Sequence, residues 1–271
     1  MKRPKVVKAY LIDIEGVLVR DKRYQPVPGA VEWMTTLAAA GRPFCLVSNN
    51  TTHRPAELID ELFRAGFPVD EDHLVGALGL GMKWLRERNR QKIHWLGTAR
   101  LGDYWREEGF ELVTDGPCDA VVMGVNPDLT ISALDRVLGP VLDDGVDILC
   151  LHRNQFYLDD TGRRRLGPGA WAASLEGVGG SGQVVTVGKP SVAIYHEGLK
   201  RVGVAPEEVL FISDDPVADL VTAGRLGMRT AFVMSGKYSD HGVLARLEEN
   251  DWPDIVCSRM SDIDIQEEDT V

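Results

Sequence analysis

The stretch Lys8-Ala9-Tyr10-Leu11-Ile12-Asp13-Ile14-Glu15-Gly16-Val17-Leu18 decides the fold. Residues 6–12 are mostly apolar and compatible with β structure, as suits a central strand of a parallel sheet buried on both faces. Strand side chains alternate, so Asp13 and Glu15 leave its carboxyl end on the same side. Gly16 lets the backbone approach a ligand with no Cβ in the way. In open α/β sheets ligands bind at the carboxyl ends of the strands, so two acids aimed there form a candidate metal and acid–base site. An acidic turn would also contain Asp and Gly. The downstream sequence separates these two readings.

Working outward, Pro28-Gly29 opens an amphipathic helix over 30–40 that Gly41 stops. Phe44-Cys45-Leu46-Val47 is a second buried strand, ending in the polar run Ser48-Asn49-Asn50-Thr51-Thr52. A helix over about 54–65 follows, with Gly66 as its stop. This alternation predicts right-handed parallel crossovers. From about residue 78 a second α/β unit is expected, with helices over 82–90, 100–108 and 131–142 and strands over 93–96, 120–124 and 147–151. The Gly-rich turn 159–169, with Arg163, Arg164 and Arg165, reads as a solvated hairpin tip or a contact for an anionic substrate. Residues 177–182 read as a flexible join. A strand over 184–187 leads to Gly188-Lys189-Pro190, which is not a phosphate-binding P-loop because Pro replaces the required Ser or Thr. A helix over 192–202 and a strand over 209–212 come next, and that strand ends in Ser213-Asp214-Asp215, with Asp219 beyond. A further helix stops at Gly227, and a strand over 230–234 closes at Ser235-Gly236. Residues 20–23 read as a solvated loop. In the acidic tail, 262–269, the first half is expected to pack on the core and the end to fray.

Composition narrows the function. A chain of 271 residues, 44% hydrophobic and 26% charged, suits one large or two smaller globular domains. A net charge of −11 disfavours a general nucleic-acid or anionic-membrane surface. Cys45, Cys118, Cys150 and Cys257 are scattered without CxxC spacing, which argues against zinc and a disulfide framework and fits a reducing cytoplasm. The apolar run after Lys2, Arg3, Lys5 and Lys8 is too short for a signal-sequence core, and no stretch is long enough to span a membrane.

Four strand ends therefore carry polar groups: Asp13/Glu15, Ser48/Asn49, Lys189 and Asp214/Asp215/Asp219. In one parallel sheet all four would share an edge. Carboxylates with water suit a hard cation such as Mg²⁺; lysine and hydroxyl suit phosphoryl oxygens. In this order the motifs resemble those of the haloacid dehalogenase superfamily of aspartate-nucleophile phosphohydrolases. Asp13-Ile14-Glu15-Gly16-Val17 is similar to its first motif, Leu46-Val47-Ser48-Asn49-Asn50 to its second, Gly188-Lys189-Pro190 to its third and Asp214-Asp215 with Asp219 to its acidic fourth. The insert resembles the α/β cap of the NagD-like branch. Residues 153–175, with Leu166-Gly167-Pro168-Gly169, are most similar to the phospholysine/phosphohistidine phosphatase-type relatives.

The resemblance implies a doubly wound, Rossmann-like parallel-sheet core (1–77 and 187–271) interrupted by an α/β cap (78–186). It implies a Mg²⁺-dependent phosphatase acting on a small phosphorylated metabolite through an aspartyl phosphate on Asp13. Metal would be held by Asp13, the Glu15 carbonyl and Asp214. Phosphoryl oxygens would be bound by Ser48, Lys189 and the N–H groups of Gly16 and Asn49, with Asp215 and Asp219 in support. His152, Arg153 and Asn154 are candidates for substrate contact from the cap, with a surface turn as the competing reading. His94 and Trp95 read as core or surface. The resemblance also allows a homodimer through the cap. Two positions depart from the pattern. Ser213 stands where Gly is usual, and Glu15 stands where an acid–base Asp is usual. Glu has a similar unperturbed pKa, but its extra methylene displaces the carboxyl, leaving open a slowed enzyme or an inactive phosphate- and metal-binding regulatory module.

Overall fold

The computed structural model describes residues 6–20, 23–159 and 161–265. Asp21 and Lys22 of the expected loop, and the expected frayed tail beyond Ile265, lie outside the described residues. The chain divides into two compact units: one of residues up to Ser48, Ala56–Val75 and Val192 onward, the other of Asn49–Pro55 with Gly76–Ser191.

The first unit is built on a six-stranded sheet in the order Ile255–Cys257, Arg229–Val233, Val209–Ser213, Ala9–Ile12, Phe44–Ser48, Leu74–Gly76. The pairings along Ile255–Cys257 through Phe44–Ser48 are parallel, with Ile12 opposite both Ile212 and Leu46. The central strand Ala9–Ile12 is buried on both faces, and alternation divides it. Tyr10 and Ile12 join a core with Trp33, Met34 and Leu37 of helix Ala30–Ala39 and Leu58 and Leu62 of helix Pro55–Arg64. The Tyr10 ring meets Trp33 edge-on at 5.4 Å. Leu11 faces the opposite helix Val192–Val202, where a Cβ on Gly198 would stand 3.1 Å from Leu11 Cδ1. Each large apolar side chain buried this way is worth about 1.5–3 kcal/mol. Helices on both faces make this a doubly wound, Rossmann-like core. Trp33 Nε1–H donates to the Ile263 carbonyl at 2.7 Å, and Met260 and Ile263 are buried, so the start of the tail packs as expected.

The second unit carries a five-stranded parallel sheet in the order Val184–Thr186, Asp147–Cys150, Ala120–Met123, Lys92–Leu96, Glu111–Val113. Ala120 and Val122 pack with helices Ala77–Arg86 and Ala99–Glu107. Val121 and Met123 pack with helices Ile131–Leu142 and Pro168–Gly177. This is the α/β insert that the sequence implied. Phe156–Leu158 and Arg164–Leu166 form an antiparallel hairpin whose three arginines are exposed. No helix among the described residues is long and apolar enough to cross a membrane.

Of the strands in the two large sheets, three escape the sequence reading: Leu74–Gly76, Glu111–Val113 and Ile255–Cys257. Each is three residues long and lies at a sheet edge, where natural sheets keep strands short and only part-buried, so no period can accumulate. The helix expected over 82–90 runs instead over Ala77–Arg86. Gly79 and Gly81 lie inside this helix, and a Cβ on Gly81 would lie 2.4 Å from Leu151 Cδ2; that glycine allows the helix to lie close on a strand. The strand before Lys189 also belongs to the five-stranded sheet and not the six-stranded one. The expectation that four strand ends share one sheet is corrected to three. Short strands of similar composition carry no sequence mark of which sheet recruits them.

Candidate active site

Three neighbouring parallel strands deliver Asp13, Ser48 and Ser213-Asp214 to one sheet edge. Asp13 is 7% exposed, and its Oδ1 accepts the Ile14 N–H at 2.8 Å, which fixes the carboxylate as the chain turns. The Ser213 hydroxyl, fully buried, donates to Asp219 Oδ2 at 2.7 Å, accepts the Asp215 N–H at 3.1 Å and lies 3.5 Å from Asp13 Oδ2. The departure from glycine at this position therefore has a use: its hydroxyl ties the acidic loop together. Asp215 Oδ1 caps the following turn through the Ala218 N–H at 3.0 Å. The Asp219 carbonyl accepts the Tyr195 hydroxyl at 2.9 Å; burial, then the charges of Asp219, Asp13 and Asp215, raise that phenol's pKa. Asp219 thus ties the loop to Ser213 and Tyr195.

Two glycines shape the space beside Asp214. Gly16 adopts φ +83°, and a Cβ there or on Gly236 would fall 2.0 Å from Asp214 Oδ2. The sequence reading took Ser235-Gly236 only as the close of the strand over 230–234 and did not single out these residues or Lys237 for the site, although small residues after an apolar strand were the available signal. The Ser235 hydroxyl donates to the Gly16 carbonyl at 2.6 Å, and the Lys237 N–H to Asp214 Oδ2 at 2.5 Å. Lys237 Nζ pairs with Asp215 Oδ2 at 2.5 Å. Burial alone would lower this lysine's pKa, but Asp215's charge and hydrogen bond outweigh it and raise it. The Gly16 N–H, expected to bind phosphate, donates to the Val19 carbonyl at 2.8 Å, because the turn after Glu15 folds back on itself. Glu15 is half-buried, with Oε2 3.5 Å from the Ser48 hydroxyl.

In the second unit Asn49 and Lys189 form a reciprocal pair. Asn49 Oδ1 accepts the Lys189 N–H at 2.7 Å, and Asn49 Nδ2 donates to the Lys189 carbonyl at 3.0 Å. Gly188 is required there, since a Cβ would meet Asn49 Oδ1 and the Leu151 carbonyl at 2.5 Å. Lys189 is 2% exposed, and so is His152. Burial and then the Lys189 charge push the His152 pKa down to about 3. The surface-turn reading does not describe this buried histidine. Arg153 clamps Glu176 with two hydrogen bonds of 2.6 and 2.9 Å and reaches Thr186 Oγ1 at 3.1 Å; the Asn154 carbonyl accepts the Gly169 N–H at 3.1 Å. His94 is core, its Nε2 3.2 Å from the Gly116 carbonyl.

Among the described residues no three His, Cys, Asp or Glu side chains group to hold a metal. The buried Asp13 and Asp214 carboxylates are an all-oxygen donor pair on adjacent strands. Glycines bar any Cβ from the space beside Asp214. Two carboxylates, a backbone carbonyl and water are a set that Mg²⁺ accepts and that zinc sites rarely use. The residues present therefore fit Mg²⁺.

A doubly wound core with an α/β insert, and a buried aspartate at the tip of its central strand, define the class. The chain belongs to the haloacid dehalogenase-like hydrolase family. The family model described as haloacid dehalogenase-like hydrolase matches residues 10–111, and one described as HAD-hydrolase-like matches 186–263. The haloacid dehalogenase-like hydrolase domain-containing protein 2 of Rattus norvegicus is 30% identical over 239 residues, 88% of each chain. The p-nitrophenyl phosphatase from Archaeoglobus fulgidus superposes with a TM-score of 0.82 at 26% identity, over 95% of this chain and 98% of that one. NagD from E. coli K-12, at 22% identity, shares the fold with a TM-score of 0.80 over 96% and 99%.

Proposed function

We propose that this enzyme is a Mg²⁺-dependent phosphatase that hydrolyses a small phosphorylated metabolite through an aspartyl phosphate on Asp13. The observation that carries the reading is Asp13 itself: a buried carboxylate, fixed by the Ile14 N–H at 2.8 Å, at the tip of the central strand. Similarity to a protein described as a p-nitrophenyl phosphatase supports the same chemistry. In the first step an Asp13 oxygen attacks phosphorus, the bond to the leaving oxygen breaks, and Glu15 supplies the proton that oxygen takes up. In the second, Glu15 takes a proton from water, the water oxygen attacks phosphorus, and the acyl-phosphate bond breaks to free Asp13 and inorganic phosphate.

Ser48, the Asn49 N–H and Lys189 stabilise phosphoryl oxygens. Gly16 contributes through its missing Cβ. Asp13, Asp214 and the Glu15 carbonyl would hold Mg²⁺, which offsets the repulsion between a carboxylate nucleophile and a phosphate dianion. The net charge of −11 disfavours polyanionic macromolecules as substrates.

The test is phosphate release from p-nitrophenyl phosphate with Mg²⁺. Asp13→Asn is expected to abolish turnover, by at least about 10³-fold. Glu15→Asp is expected to raise kcat by up to roughly 10²-fold, because a ~1 Å error in placing the acid costs about that much. No turnover in wild type, and none restored by Glu15→Asp, would sink the phosphatase reading and leave the phosphate-binding regulatory module.

A further inference from the structure

We propose that His152 is a positioning residue of the proposed phosphatase site, holding the Asn49–Pro55 loop and Lys189 in one arrangement; this rests on the phosphatase reading above. The imidazole is 98% buried at the end of strand Asp147–Cys150. Its Nε2 lies 3.5 Å from Thr51 Oγ1, and its backbone carbonyl accepts the Cys150 thiol at 3.1 Å. Thr51 Oγ1 also accepts the Val125 N–H at 3.0 Å. Thr51 therefore joins the loop to two strand ends, while the Asn49–Lys189 pair joins the same loop to the lysine. A Cβ on Gly124 would lie 3.4 Å from Thr51 Cβ and 2.7 Å from the Trp95 ring, so packing leaves the threonine little room to shift.

The choice of side chain needs explaining. His152 Nδ1 is buried without a hydrogen-bond partner, a situation that folded proteins avoid. An apolar residue of similar size would fill the space at lower cost. The neighbouring Lys189 supplies the reason. A carboxylate at this position would compete with a phosphoryl dianion for the ammonium, and a cation would repel it. An imidazole kept neutral by burial and by that ammonium does neither, and it still offers a polar edge to Thr51.

The experiment compares His152→Ala, His152→Asn, His152→Asp, Thr51→Val and the Ala/Val double variant. It reads kcat and KM for p-nitrophenyl phosphate and hydrogen exchange of the 49–55 and Val125 amides. His152→Ala is expected to lower kcat about tenfold or more and to speed exchange across 49–55. Thr51→Val is expected to do the same, with the double variant no worse than either single one, and His152→Asn to recover part of the loss. His152→Asp is expected to raise KM, and the inhibition constant of inorganic phosphate, more than it lowers kcat. Additive losses, or exchange across 49–55 unchanged by His152→Ala, would overturn the proposal. If His152→Ala does not fold, Thr51→Val and His152→Asn carry the same comparison. A wild type without turnover would sink the phosphatase reading, and the exchange data would still decide whether His152 governs the loop.

Discussion

Among the described residues, the buried carboxylates Asp13, Asp214, Asp215 and Asp219 all lie in the unit built on the six-stranded sheet. The buried lysine and the buried histidines, Lys189, His94 and His152, all lie in the unit built on the five-stranded sheet. The first set is stitched by short hydrogen bonds through Ser213, Lys237 and backbone amides. In the second, Asn49 holds the Lys189 backbone, Thr51 makes a long contact with a neutral imidazole, and His94 lies 3.2 Å from the Gly116 carbonyl. Burying charge is costly, and gathering one sign at strand tips does nothing for a hydrophobic core. The segregation is therefore a mark of chemistry and not of stability: the acids are held by dense hydrogen bonding, and the histidine near the lysine is kept uncharged.

The acidic side of this contrast is most sharply tested by Gly236→Ala. Its Cβ would fall 2.0 Å from Asp214 Oδ2 and 2.4 Å from Gly16 Cα, so the carboxylate must move. The expected result is a loss of about 10²-fold in kcat/KM with an increased Mg²⁺ requirement, and far-UV circular dichroism unchanged. Wild-type activity would mean that the space beside Asp214 is not used.

On the other side, His152 has a pKa near 3 in the fold against 6.5 unfolded. Below pH 6.5 the unfolded chain binds the extra proton, so this group's contribution is intact above 6.5 and is lost as pH falls toward 3. It should remove about 2 kcal/mol between pH 6.5 and 5. Urea denaturation of wild type and His152→Asn at both pH values checks this; equal pH dependence in the two would break the contrast. A smaller change is expected from Ser213→Ala, which deletes the hydroxyl shared by Asp219 and the Asp215 N–H. It should lower stability by about 1.5 kcal/mol, read as a drop of several degrees in Tm. The smallest is Glu176→Gln. Arg153 holds that carboxylate's pKa below its usual range, so the pair stabilises above the unfolded value and its benefit fades in acid. At this part-exposed site it is worth roughly 0.2–1 kcal/mol, and loss of the difference between variant and wild type at low pH would confirm it.

Much of the fold was legible because its long elements are locally determined. Residues 9–12, 44–47 and 209–212 are apolar runs long enough to read as buried strands, and helices Ile131–Leu142 and Val192–Val202 fall at their expected bounds. The proposed nucleophile and the acidic loop were legible for a similar reason: each follows directly on a buried strand. What escaped was non-local. Lys237 has no motif of its own, and only the approach of Gly236 to Gly16 and Asp214 brings it to Asp215.

By itself, then, the sequence determined the alternation of strands and helices, the acids at the strand tips and the family those motifs point to, because period and turn chemistry act over a few residues. The tertiary structure alone decided which sheet takes the strand before Lys189, that Ser213 is the knot of the acidic loop, that the Gly16 N–H is spent on Val19, and that His152 is buried and neutral. The sheet choice and the surroundings of His152 depend on partners tens of residues or more away and on the removal of water that sets the cost of a buried charge. The Gly16 and Ser213 bonds are short-range but need a backbone course that no residue pattern marks.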